Sequence, residues 1–328
     1  MTWRRAALVA AGLALCHGAA GEDATIDWVS IQGGCFTMGQ ARTYAEEAPP
    51  HEACVAPFDL ARTEVTNAQF RAFVDATGYV TRAERGWQAG DPDGPGAAMP
   101  PGSAVFAPPA TGPVEALAWW QFLPGASWRQ PFGEAGAAGE AARADHPVVH
   151  VTRADAEAFA AWAGGRLPSE AEWELAARGG VEGALMAWDA EADADRPAQA
   201  NTWQGIFPMV NVRADGFAGT APVARFPANG FGLFDMVGNV WEWTAGPYTP
   251  SHAGADRARA GANGLDPTQP GVPVGTIKGG SFLCAPSYCF RFRPAARQAQ
   301  DLAFGTSHIG FRIARSADSA SAPEDAPQ

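Results

Sequence analysis

Every helix that this chain can be seen to start runs into a glycine a few turns later. Thr66 ahead of Gln69, Thr152 ahead of Asp155 and Ser169 ahead of Glu172 each place a hydroxyl three residues before a side chain able to reach back, the pattern that opens a helix. Apolar spacing follows each start, with Phe70, Phe73 and Val74, then Phe159 and Trp162, then Trp173 and Ala176. Gly78, Gly164 and Gly179 stop them. Helices this short cannot enclose a core alone, so turns, small sheets and buried rings must do the rest. The 38 glycines, 27 prolines and 12 tryptophans, set against only 18% charged residues, point the same way. With 328 residues and 47% hydrophobic content the chain can bury a large core, and one domain from about Ala24 to Arg315 is the simplest partition.

Alternation in Ile26 to Ile31 and in Cys35 to Met38 predicts two short strands turned by Gly33-Gly34 into a small antiparallel start. From Gly90 to Ala142 the chain reads as a long irregular excursion held by rings such as Trp119, Trp120 and Trp128, and able to contribute to a substrate groove. After Gly205 periodicity is weak, and turn signals recur up to Trp243. The small, acidic residues from Ser316 to Gln328 predict a disordered tail.

The first 21 residues read as an export signal. Arg4 and Arg5 precede the short apolar run Ala6 to Leu15, and the small residues Gly18 to Gly21 offer a cleavage site. The run is too short to span a bilayer, and bulky Leu15 before Cys16 favours cleavage over lipid attachment. A periplasmic or secreted protein is expected. A net charge of -12 gives no electrostatic reason for nucleic acid as a partner.

Removing the signal leaves Cys35, Cys54, Cys284 and Cys289 in a compartment that permits disulfides. Cys35 and Cys54 flank a polar stretch and read as a structural staple contributing roughly 3 kcal/mol. Cys284 and Cys289 are five apart, a spacing that puts side chains on opposing sides of a helix or a strand, so a turn must bring them together. Ala285-Pro286-Ser287-Tyr288 supplies one, with proline presetting the second turn position. Two thiols so held can close as a disulfide, the commoner outcome on spacing alone, or grip a soft ion such as Cu(I). Zinc suits the pair less, because a closed zinc site wants four ligands and no other histidine or cysteine lies nearby in sequence.

With its neighbours, GGSFLCAPSYCFRFRPAAR at Gly279 to Arg297 resembles the C-terminal signature of the formylglycine-generating, sulfatase-modifying enzymes: Ser281, Cys284 and Cys289 leading into Arg291, Arg293, Ala295, Ala296 and Arg297. The resemblance runs in order from GGCFTMG at Gly33 through EVTNAQF at Glu64, HPVVHV at His146, GRLPSEAEWELAARGG at Gly165, NTWQGIFP at Asn201, DGFAGTAPV at Asp215 and NGFGLFDMVGNVWEW at Asn229 to the closing SHIGFR at Ser307. It implies an α+β fold, a single irregular domain related to C-type-lectin-like folds with short helices and small antiparallel sheets. The two-cysteine element is the specific part, since many relatives share the scaffold without it.

The resemblance further implies that Cys284 and Cys289 bind Cu(I), that O2 is used there with a thiol reductant, and that a cysteine in a Cys-x-Pro-x-Arg segment of an unfolded sulfatase becomes formylglycine. A buried apolar wall would limit leakage of reactive species, and Trp241 is the choice for it. Ser281, Tyr288 and His308 are candidate polar neighbours that position oxygen or relay protons, although His308 could equally be a hydrogen-bonded structural histidine. Ala285, where well-known members often have histidine, and residues 298 to 306 depart from the family pattern. Two other readings therefore stand beside the first: an oxygenase acting on a siderophore precursor or small thiol, and a non-catalytic module with a permanent Cys284–Cys289 disulfide.

A second constellation is rich in oxygen. Asn201, Asp215, Asp235 and Glu242 sit in glycine-rich backbone of the kind a hard ion needs, and calcium is the natural guess. The resemblance implies one site from Asn201 and Asp215 with carbonyls of Thr202 and Phe217, and another from Asp235 and Glu242 with carbonyls of Gly238 and Val240.

Overall fold

The computed structural model describes residues 25–91, 94, 96–107, 118–133, 143–183, 185–186 and 199–317. The expected export signal lies outside them, as does the expected tail apart from its first two residues. Ser316, the first of these, is the last residue of the strand Ala314–Ser316.

All three capping boxes form. Helices Asn67–Thr77, Arg153–Trp162 and Glu170–Arg178 each have the hydroxyl accepting the N3 backbone N–H and the N3 side chain accepting from the cap. Gly78 and Gly179 end two of them in left-handed backbone that a side chain would strain, and Gly164 follows the third at φ 74°. Two short helices were not anticipated. Arg82–Arg85 opens on a fourth capping box, Thr81 with Glu84, whereas Gly254–Ala260 has no side-chain cap to betray it.

The two N-terminal strands form but do not pair with each other, contrary to expectation. Trp28–Ile31 and Ala314–Ser316 flank Phe58–Ala61 in a three-stranded antiparallel sheet, while Gly34–Met38 pairs with His51–Val55. The reason lies at Gly33, which takes φ 72° where a Cβ would meet the Val55 carbonyl at 2.5 Å. The chain therefore swings across to the 51–55 strand, and Cys35 lands opposite Cys54, to which it is joined. Within the excursion after Gly90 the described segments Gly102–Phe106 and Trp120–Pro124 pair as antiparallel strands, which the irregular reading did not foresee.

The central sheet runs Arg297–Asp301, Val274–Lys278, Trp241–Pro247, Ile309–Gly310, with only the last pair parallel. Helices Asn67–Thr77 and Arg153–Trp162 pack through Phe70, Phe73 and Phe159, joined by Trp128 and Phe311, with ring centroids 5.2–6.4 Å apart. Burying each such ring contributes roughly 1.5–3 kcal/mol, and their geometry, edge-on except for the stacked Phe70 and Phe159, adds to it. Around this core sit fully buried ion pairs. Arg312 spans both oxygens of Glu242 at 2.7 Å, Lys278 meets Glu174 at 2.9 Å, and Arg293 meets Glu47. The conspicuous arginines of the C-terminal run are thus largely structural.

Candidate active site

The predicted turn is present: the Tyr288 N–H donates to the Ala285 carbonyl at 3.1 Å and the Cys289 N–H to the same oxygen at 2.9 Å. It brings the Cα atoms of Cys284 and Cys289 to 4.6 Å, and the two sulfurs form a disulfide. Neighbouring loops hold the segment. The Trp203 N–H donates to the Cys284 carbonyl, and the Phe282 N–H to that of Asn239. Both cysteines are buried, yet they border a cavity of about 240 Å³.

All six residues singled out for catalysis line that cavity: Cys284, Cys289, Ser281, Trp241, Tyr288 and His308. Trp241 is 1% exposed and is fixed by its N–H donating to the His308 carbonyl. Ser281 Oγ accepts the Leu283 N–H at 3.2 Å. Tyr288 is 47% exposed, the only one of the six at the surface, and stacks on Phe207 with centroids 4.2 Å apart. The His308 Nδ1 lies 2.6 Å from the Thr306 hydroxyl, and the ring packs against Trp120. Burial, aided by nearby His150, pulls the His308 imidazole down to about 3, so the ring is neutral at ordinary pH.

The oxygen-rich loops lie behind the cysteine segment. Asp215 accepts N–H bonds from Thr202 and Phe217, both at 3.0 Å, and so gathers three of the expected ligand residues. Asn201 donates to Gly219 and Asn239, leaving its Oδ1 buried without a partner. In the second group, Asp235 Oδ1 is likewise an orphan, while Glu242 is fully engaged by Arg312 and the Trp173 N–H. Burial pushes Asp235 up to about 6 and, with the charges of Asp235 and Glu242, pushes Glu64 well above the carboxylate range. Among the described residues no three His, Cys, Asp or Glu side chains form a ready metal cluster. Two orphaned oxygens and an excess of buried negative charge nevertheless fit a hard cation drawing on amide and carbonyl oxygens.

Residues 18–317 match the model of the sulfatase-modifying factor enzyme 1-like domain. The formylglycine-generating enzyme of Mycobacterium tuberculosis is 51% identical over 294 residues, covering 87% of this chain and 96% of that protein. The chain belongs to the formylglycine-generating enzyme family. A Mus musculus member named inactive C-alpha-formylglycine-generating enzyme 2 is 38% identical over 298 residues, 88% of this chain and 85% of its own. The formylglycine-generating relatives, 41–51% identical over most of the chain, make this protein an oxidase that acts on cysteine. Among solved structures, PvdO from Pseudomonas aeruginosa shares the fold with a TM-score of 0.57 and 26% identity, covering 90% of this chain and 96% of its own.

Several cavity residues escaped the sequence reading. Gln298 and Gln300 line it from the strand Arg297–Asp301, in the very stretch that departs from the formylglycine-generating pattern; their spacing of two, which puts side chains on one face of a strand, was the available signal. Trp119 and Trp120, rings of the excursion expected to contribute to a substrate groove, complete the wall together with Phe207, which was not expected there. Phe207 gave no local sign, because its place depends on the three-residue turn between strands Gly205–Ile206 and Val210–Asn211 closing beside Tyr288. Glu64 was also missed, although its carboxylate holds the Asn239 side chain at 2.8 Å and the Val240 N–H at 3.2 Å.

Proposed function

We propose that this chain is an oxidase that converts a cysteine of an exported sulfatase polypeptide to formylglycine, with Cu(I) between Cys284 and Cys289, O2 as oxidant and a thiol as reductant. The observation that carries this reading is the placement of the sulfur pair at the wall of a cavity, whereas a merely structural disulfide has no need of one. Reduction would free two thiols whose backbone is already fixed by the Ala285 carbonyl. Two thiolates suit a soft monovalent ion and leave room for a third sulfur from the substrate. When bound, copper would supply the activation of oxygen.

The chain's own residues do the rest. Tyr288 and Phe207 form a stacked aromatic lip against which a peptide can lie. Trp241, Trp119 and Trp120 exclude water from the sulfurs. Neutral His308, tied to Thr306, and Ser281 offer polar atoms for a proton in transit. The chemistry balances: the substrate CH2–SH becomes an aldehyde, O2 supplies its oxygen and one water, sulfur leaves as hydrogen sulfide, and two reductant thiols become a disulfide. Calcium in the loops of Asn201 and Asp235 would brace the segment that holds Cys284. Two disulfides fit an oxidising compartment, in keeping with export.

The deciding experiment incubates reduced, copper-loaded protein with a Cys-x-Pro-x-Arg peptide, oxygen and a thiol, and reads the peptide mass. Conversion to the aldehyde is expected. An unchanged peptide beside an active relative run in parallel would overturn the reading.

A further inference from the structure

A second cavity, of about 340 Å³, lies beside the first. That volume falls within the range of small-ligand pockets, and the lining is of their kind, apolar with a few convergent polar groups. Phe106, Phe132, Val149 and Phe282 give the apolar walls. The polar corner consists of Arg143, Thr220 and His146. The Arg143 guanidinium donates to the Thr220 hydroxyl, and His146 Nδ1 lies 2.9 Å from the same oxygen. Among the described residues Arg143 has no carboxylate partner. That is unusual in a chain carrying 35 acidic residues against 23 basic ones. Half-buried guanidinium groups are ordinarily neutralised, and burial here lowers the Arg143 pKa with no opposing carboxylate. His146 supplies no charge of its own, since burial and Arg143 hold it down at about 4.

We infer that this cavity binds a small carboxylate with an apolar body, the carboxylate meeting Arg143 and Thr220 and the body lying among Phe106, Phe132 and Phe282. A planar guanidinium is matched to a carboxylate, and the apolar walls suit a ring or short chain. Phe132 is 41% exposed, so the cavity reaches the surface there. The wall is shared with the cysteine cavity. Phe282 and Ser307 face the carboxylate site while their neighbours Ser281, Leu283, Thr306 and His308 face the other. The Ser307 hydroxyl accepts the Phe106 N–H at 3.2 Å across that wall.

The inference does not depend on the redox chemistry, so its test reads binding by the full protein. Calorimetry with 3-phenylpropionate is expected to give saturable binding. Its neutral amide and the Arg143→Gln variant should each bind on the order of tenfold more weakly, the loss expected for a charge-assisted contact. Phe132→Ala, at a half-exposed wall position that folding tolerates, should also weaken binding and stands in if Arg143→Gln does not fold. Tyr288→Ala, in the neighbouring cavity, should bind the acid normally. Equal binding of acid and amide, unaltered binding by both wall variants, loss of binding in Tyr288→Ala, or no saturation would each overturn the inference.

Discussion

The Trp203 N–H donates to the Cys284 carbonyl at 3.0 Å, and Trp203 is one residue beyond Thr202, whose own N–H donates to Asp215. The oxygen-rich loop and the sulfur pair are thus two ends of one hydrogen-bonded strut. Asp215→Ala removes a charged acceptor of two backbone N–H groups, at a cost of about 1.5–3 kcal/mol. Thermal unfolding should report that loss, together with a drop in peptide conversion from a displaced Cys284.

Chelation tests the ion expected in those loops. Anything that binds only the folded chain raises its melting temperature, so removing calcium with EDTA should lower it in the wild type. Asn201→Ala, which deletes the orphaned Oδ1, should abolish most of the difference between chelated and calcium-loaded protein. A wild-type melting temperature indifferent to EDTA would sink the calcium proposal.

Exchanging either Cys284 or Cys289 for serine separates catalysis from architecture. The pair closes a loop only five residues in separation, so its loss should cost no more than about 2 kcal/mol of stability. Conversion of the peptide should nevertheless fall to background. Retained turnover in both variants would show that sulfur chemistry lies elsewhere.

Glu47 and Arg293 are both fully buried and paired, with Gln40 also accepting from the guanidinium at 3.0 Å. Glu47→Gln strands a buried positive charge, and denaturant unfolding should show a loss of about 3–5 kcal/mol. Replacing both partners by Met and Leu should recover much of it, because the desolvation penalty then vanishes with the charges.

Buried histidines set the acid response. His150 is pulled down to about 4 and His308 to about 3, chiefly by burial. In the unfolded chain each takes a proton at the ordinary value of 6.5, while the folded chain resists. Their contribution is therefore complete above pH 6.5 and is lost as pH falls from there toward 3–4. His308→Gln should flatten that part of the stability curve. Because His308 stays neutral, peptide conversion should show no inflection near 6.5 that disappears in this variant.

What the sequence settled is what neighbours along the chain decide. A hydroxyl three residues before an acceptor opens a helix, a glycine in left-handed backbone ends one, and Pro286 presets the turn that joins Cys284 to Cys289. The order of motifs also revealed the family and six residues that line one cavity. Strand pairing was not legible, since Trp28–Ile31 and Gly34–Met38 choose partners by where the whole core can be buried rather than by the turn between them. For the same reason Phe207, Gln298 and Arg143, whose charge meets no carboxylate among the described residues, became meaningful only once distant segments closed around them. Local conformation needs a few residues to specify it; a cavity is the space left by many, and only the packed chain determines its shape.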